Sequence, residues 1–478
     1  ELMSLRMMRD KGIISQAEYD SAMHDLAETA GTHAPHEGTA VMGKWATTLY
    51  GFVDVDAIWD STRSLIDVPG NPAILRPSSA PGGSLAGENP RFTFGARNSR
   101  IGFRMKAPEF GAGVRASAQL EMDFIGTQLP VGAAQPYQGS EAAFFTNPTF
   151  RVRHMNFKVE TPVVDILMGQ YWQLFGWQSA YQPNTVELQG VPGEIYSRTP
   201  QLRISKTLKA DPVTFEIAVA AVRPVQRDNG FPDGEGGIRF ALDSWTAIQT
   251  IGQNGTQVSP LSVAATGLLR RVSLNELAAS PKVTNENTMS AFAVDAFLPI
   301  LPGKKGAKPG TVSPSDFGSF ALNGEFATGY GFADMYTGLT GGIGYPPAVP
   351  AMGMTPAVPF NPNIDTGIVT YDANGGIHGI RWTTVLVGGQ YYFPGLNGNL
   401  WITGNYSHVE SPNIDTYVPA SGAKTAVFKS YDWFDAMVFA RPVPPVLFGL
   451  EYANFFTRYV DGAHGLNHRI QLSGFYIF

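Results

Sequence analysis

From Trp45 to Phe478, apolar side chains return at every second position, and this period of two excludes most folds open to a 478-residue chain. Residues 114–124 show it best. Val114, Ala116, Ala118, Leu120, Met122 and Phe124 fall on one side; Arg115, Ser117, Gln119, Glu121 and Asp123 fall on the other. Such a strand has one face for apolar surroundings and one for water. The same alternation sets Leu49, Val53, Val55 and Trp59 against Asp54, Asp56 and Asp60, and it aligns Ile470, Leu472, Gly474, Tyr476 and Phe478. Sixteen segments follow the rule: 45–60, 91–106, 112–125, 149–160, 163–174, 199–208, 213–224, 236–247, 258–271, 287–299, 316–330, 376–393, 398–409, 428–441, 446–457 and 468–478.

The connections decide between two ways of covering the apolar faces. A soluble sandwich packs them on a second sheet and has no reason to sort its loops. Here mostly short turns (108–111, 161–162, 209–212, 394–398, 441–445) alternate with mostly long loops (61–90, 126–148, 175–198, 331–375, 410–427). That sorting belongs to a barrel crossing a membrane. The spacing therefore predicts an all-β transmembrane fold, a sixteen-stranded antiparallel up-and-down β-barrel over 45–478. An even strand count puts both termini at the short-turn end.

Composition agrees. Only 15% of residues are charged and none is Cys, and mean hydropathy is near zero, as two opposed faces require. No apolar run approaches the roughly 18 residues of a spanning helix. A net charge of −6 argues against nucleic-acid partners. No HExxH, Walker or GxSxG motif and no spaced Cys ligands occur, so no enzyme, cofactor or metal centre is expected. Residues 1–30 differ. Leu2, Leu5 and Met8 keep helical spacing, Gly12 ends that helix, and Ser15 with Glu18 forms a capping box. They predict a short helical hairpin joined by a linker, 31–44. The start at Glu1 without a signal-like apolar core is expected of a processed chain.

Residues 49–54 (LYGFVD), residues 99–104 (SRIGFR) and the closing Phe478 resemble the sixteen-stranded trimeric porins of Gram-negative outer membranes over roughly 45–478. In that family a C-terminal strand ending on Phe is read by the assembly machinery. Residues 169–172 (GQYW), 199–203 (TPQLR) and 467–473 (NHRIQLS) resemble its dicarboxylate-channel branch. That branch carries a helical extension ahead of the barrel; residues 9–19 also resemble SHOCT-like hairpins. The resemblance implies a homotrimer in the outer membrane, in contact with lipid and lipopolysaccharide, passing small hydrophilic solutes by passive diffusion, with residues 1–30 in the periplasm.

For such a channel the water-facing residues matter. A turn at 108–111 would place Arg104 beside Arg115 and Arg100 beside Gln119, with Glu121 and Asp123 further along the same face. His154, Asn156 and Lys158 follow on the next strand, with Arg151 and Arg153 nearer the outer mouth. Loop 175–198 matches in position the third outer loop of porins, which folds inward and narrows the pore. Glu187 and Glu194 would then face Arg100, Arg104 and Arg115 across a constriction whose transverse field orders water and solutes. The arginines lean the reading toward anionic solutes such as carboxylates; alternatively they solvate a wall or pair with loop carboxylates. Trp45, Trp59, Trp172, Tyr391, Phe393 and Tyr476 suit interfacial girdles. Loop 331–375 is apolar and covers the mouth or meets a partner. The competing readings are an adhesin or surface barrel with a plugged pore, and a soluble secreted β-protein.

Overall fold

In a computed structural model, the residues described are 39–42, 45–67, 73–126, 149–187, 189–250, 255–278, 280–305, 312–336, 348–349, 353–354, 356–359, 363–371, 376–416 and 427–478. The helical hairpin expected over 1–30 lies outside them. Residues 39–42, read as linker, form a short strand, Thr39–Met42, paired with the start of the first barrel strand.

The main sheet comprises 18 segments. One of them is Thr39–Met42, and two others are the halves of a single interrupted strand, so sixteen strands close the barrel. They are β1 (Trp45–Asp60), β2 (Arg91–Gly95 and Arg100–Lys106), β3 (Arg115–Asp123), β4 (Arg151–Glu160), β5 (Asp165–Trp172) and β6 (Arg198–Ala210). Next come β7 (Val213–Val222), β8 (Asp233–Thr250), β9 (Thr256–Asn275), β10 (Thr284–Leu301) and β11 (Ser319–Tyr330). The last are β12 (Arg381–Tyr392), β13 (Leu400–Glu410), β14 (Phe428–Val443), β15 (Val446–Tyr459) and β16 (His464–Ile477).

Each strand pairs antiparallel with its neighbours in sequence, and β16 returns to β1 from Phe52↔Ile477 to Asp60↔Arg469. Phe478 extends the seam: its N–H donates to the Gly51 carbonyl at 3.0 Å and its carbonyl accepts the Gly51 N–H at 2.9 Å. Closure removes both sheet edges, which is the condition for a sheet to cross hydrocarbon. No described helix is long and apolar enough to cross a membrane.

The alternation places side chains as the sequence requires. Val53, Val55 and Trp59 point outward and are exposed, whereas Asp54, Asp56 and Asp60 point inward and are buried. Trp45 and Tyr476 also lie outside, near the strand ends. Trp172, read as a girdle residue, is instead buried inside the barrel, because it closes β5 on the inward parity.

The interior is less watery than strict alternation implies. Inward residues of the longer strands, among them Leu268, Val272, Met289, Trp382 and Tyr431, pack with Phe332, Met335, Tyr336, Ile364 and Ile368 from the loop between β11 and β12. The two ends of that loop therefore fold into the mouth at the long-loop end, while Met354 between them is exposed. Lower down, Tyr392, Trp401 and Phe439 stack at 5.4 and 5.0 Å, also inside. These cores fill the β8–β15 side of the barrel and leave the β1–β5 side polar.

Candidate functional site

The polar wall is organised by an irregularity in β4. Glu121 pairs with His154 and Met122 with Val152, so Arg153 has no opposite number. A bulge of this kind re-aims side chains: Arg153 and His154, adjacent in sequence, are both buried inside. Strict alternation would put Arg151 and Arg153 on the face opposite His154, Asn156 and Lys158; the bulge brings Arg153 and His154 into one lumen. Arg153 donates from Nε to Glu121 at 2.7 Å, from Nη1 to Asp123 at 3.1 Å and from Nη2 to the Tyr196 hydroxyl at 3.0 Å. Asp123 also accepts from Arg151 at 2.6 and 3.0 Å, so it is consumed by two guanidiniums.

The β2–β3 register corrects the expected arginine neighbours. Arg104 lies opposite Gln119 and Arg100 opposite Asp123. Phe110 and Val114 bond to each other across the turn, with Ala112 and Gly113 both left-handed at φ 67° and 72°. The turn is therefore centred on Ala112 and not within 108–111, which slides β3 by four residues. Arg115 consequently pairs with Glu160 at 3.3 Å near the short-turn end. Lys158 sits in the same rim, between Glu160 at 2.9 Å and Asp165 at 2.8 Å. Neither takes part in the cavity described next.

That cavity, about 230 Å³, is lined by Arg100 and Arg104 of β2, Glu121 of β3, Arg153 and His154 of β4, and Tyr171 and Trp172 of β5. Glu187, Glu194 and Tyr196 of the loop 173–197 line its other side. Of the residues singled out from sequence, the structure thus gathers Arg100, Arg104, Glu121, His154, Glu187 and Glu194. It leaves out Arg115, Asp123 and Lys158.

Aromatic rings hold the arginines. The Arg104 guanidinium lies 4.0 Å from the Tyr50 ring centroid, and Arg100 lies 5.3 Å from that of Phe52. Tyr50 lies flat over its cross-strand partner Gly102, where any Cβ would come within 2.4 Å of the ring. Its hydroxyl donates to Glu121 at 3.0 Å and accepts from Gln119 at 2.7 Å. Arg198 stacks on Trp172 and Tyr196 at 4.7 and 5.0 Å. Stacked guanidiniums stay charged and keep their N–H groups toward water or a solute.

The loop between β5 and β6 crosses the barrel and is fastened to the far wall by buried carboxylates. At its start Glu235 accepts the Leu174 and Phe175 N–H groups at 2.8 and 3.2 Å. After the short helix α1 (Gln178–Tyr181), Glu451 accepts the Thr185 hydroxyl at 3.0 Å and the Val186 N–H at 3.3 Å. Near its end Glu325 accepts the Ile195 N–H at 2.8 Å. Glu187 reaches Arg469 at 2.9 Å; Arg469 also grips Asp60 with two bonds of 2.9 and 3.0 Å.

Burial pushes the Glu187 carboxyl up to about 8, against the pull of Arg469. Glu194, buried beside Glu325, is raised well above the ordinary carboxylate range. Burial raises the Tyr196 hydroxyl too, but Arg153, Arg198 and Arg100 outweigh it and bring it down to about 8.

Sequence reasoning missed Tyr50, Arg198, Arg469 and the three glutamate anchors, and it left Arg153 out of the constriction. Only Glu451 carried a signal, as an acid between the small inward residues Gly449 and Ala453; Glu235 and Glu325 share their inward faces with Asp233 and Asn323. Among the described residues no group of three or more His, Asp or Glu side chains is placed to hold a metal.

No protein-family model matches the chain, and no curated protein sequence matches it. Solved structures do. The outer membrane channel DcaP of Acinetobacter baumannii superposes over 91% of this chain and 97% of its own, with TM-score 0.58 at 17% identity. The Salmonella typhi OmpF complex with daunomycin gives 0.48 at 10% identity, covering 93% and 99%. An anion-selective porin from Comamonas acidovorans gives 0.47 at 11%, covering 91% and 100%. At 17% identity what DcaP shares with this chain is the barrel fold.

Proposed function

We propose that the chain is a passive-diffusion channel of a Gram-negative outer membrane, leaning toward small anionic solutes such as carboxylates. The short turns then face the periplasm and the long loops the exterior, with the channel working as a homotrimer. One observation carries the reading: a loop fastened across a sixteen-stranded barrel leaves a polar cavity with Arg100, Arg104 and Arg153 on its wall. Arg153 is neutralised by Glu121 and Asp123. Arg104 has no carboxylate partner among the described residues and rests on a ring, so it supplies uncompensated positive charge. A fixed field of this sign lowers the energy of a passing anion and raises that of a cation. The reading is transport without reaction.

A second reading has support in the apolar packing of the outer mouth by the β11–β12 loop. A barrel closed there would serve as a surface protein and carry no current. Replacing 178–195 by a short Gly-Ser linker separates the two readings. A channel narrowed by this loop gains conductance when it is removed; an unchanged conductance refutes the narrowing.

A further inference from the structure

On the outside of the barrel, near the long loops, the β5–β9 wall carries a trough. Met168, Leu202, Ala221 and Gly234 sit opposite one another in a cross-strand row. The row runs from large side chains to none. Immediately below, Gly236 faces Gly267, and a Cβ built on either would meet nothing within 4 Å. The wall therefore drops away between Leu202 and the strands beyond it. At the upper end Pro224, Gly230, Phe231 and Pro232, from the loop 223–232, enclose with Met168, Leu202 and Ala221 a groove of about 450 Å³, and the glycine strip continues below it.

The chemistry of the trough is uneven in a useful way. Met168, Leu202 and Phe231 are 43%, 42% and 65% exposed, so their apolar surface faces outward. Among the described residues, the one ionic side chain of the lining is Arg223, at the upper rim. It is exposed, its backbone N–H bonds to the Pro200 carbonyl at 2.9 Å, and it makes no ion pair among the described residues. An apolar channel opening sideways into hydrocarbon, topped by a free cation at headgroup depth, matches one kind of occupant.

We infer that this trough binds a phosphorylated lipid of the outer leaflet, with one acyl chain lying over Ala221, Gly234 and Gly236 and the phosphate on Arg223. The inference rests on the outer-membrane reading above. The acyl chain needs no hydrogen bonds and replaces the missing side chains. The phosphate accepts charge-assisted hydrogen bonds from the guanidinium. A zwitterionic phospholipid carries one phosphodiester whose charge its own ammonium offsets, so it would hold the arginine less firmly than the phosphomonoesters of a glycolipid.

The test is native mass spectrometry of the full chain, purified in detergent and titrated with a phosphorylated, multiply acylated glycolipid (lipid A) or with phosphatidylethanolamine. One lipid A per chain should survive gas-phase activation that strips phosphatidylethanolamine. Gly236→Phe, whose ring fills the trough, should abolish that retention. Arg223→Gln should weaken it roughly fivefold, the share of one arginine near an anionic headgroup. Leu450→Ala, outward on β15, should bind as the parent does. Equal retention in all variants, or equal binding of both lipids, overturns the assignment. So does a change in the number of chains per particle on Gly236→Phe, which would assign the trough to a neighbouring copy. Planar-bilayer conductance measured on the same samples separates the claims: retained current with unchanged lipid binding refutes the trough and leaves the channel standing.

Discussion

Arg104→Ala is the most informative single substitution. The guanidinium lines the cavity and leans on Tyr50, and among the described residues no carboxylate offsets it. At about 6 Å from a passing ion, a unit charge contributes ~0.7 kcal/mol in water. Screening at physiological salt, over a Debye length of about 8 Å, cuts this to ~0.3 kcal/mol. The change has opposite signs for anion and cation, so the permeability ratio moves by twice that amount. The expected shift toward cations is therefore roughly threefold with screening and about tenfold without it. Reversal potentials in a planar bilayer under a KCl gradient read this ratio directly. Two controls sharpen the test. Arg104→Lys keeps the charge and should hold most of the selectivity. Arg115→Ala removes an arginine that is exposed and paired to Glu160 near the short-turn end, so its shift should be much smaller. An unmoved reversal potential in Arg104→Ala, or an equal shift in Arg115→Ala, refutes the assignment of the charge to this wall.

Other substitutions probe how the loop and the mouth are held. Glu235→Ala removes the acceptor for two buried N–H groups and should loosen the loop by ~3 kcal/mol, seen as noisier, larger current steps; Glu235→Gln keeps an acceptor and should be milder. Glu194 is raised above its ordinary range by burial and by Glu325, so a docked loop is favoured below that range. Docking should weaken as pH rises toward the shifted value; conductance should climb with pH in the parent, and Glu194→Gln should flatten the curve. Trp382→Ala empties a fully buried site in the outer core, at a cost of ~3–5 kcal/mol. Proteases should then cut the long loops sooner, while the heat-modifiable gel mobility of the barrel stays as it was. A pattern in which the barrel itself unfolds would show that the loop core supports the wall.

Most of the fold was legible because a barrel writes itself at period two. All sixteen segments appear as strands, and the sorting of short and long connections points to closure. What local pattern could not carry was geometry that departs from the repeat. Ala112 in the left-handed region gave no composition signal, so the β2–β3 register slipped by four residues and took Arg115 with it. The bulge at Arg153 is invisible to parity, since parity is what it breaks. The interior cores were hidden for a different reason. Trp382, Trp401 and Tyr431 obey the alternation but sit on the face expected to be wet. Only the loops that return into the lumen explain them, and loops have no period to read. The candidate wall was half visible: charged residues on inward strands could be found, but the rings beneath them and the glutamates tying the loop across belong to tertiary contacts.

The most direct test of the account is single-channel recording of the purified full chain in a planar bilayer under a salt gradient. The channel reading predicts discrete steps, grouped in threes, with a reversal potential displaced toward the anion equilibrium value. Inserted protein that carries no current would contradict it, and would mean that the apolar packing of the outer mouth closes the barrel.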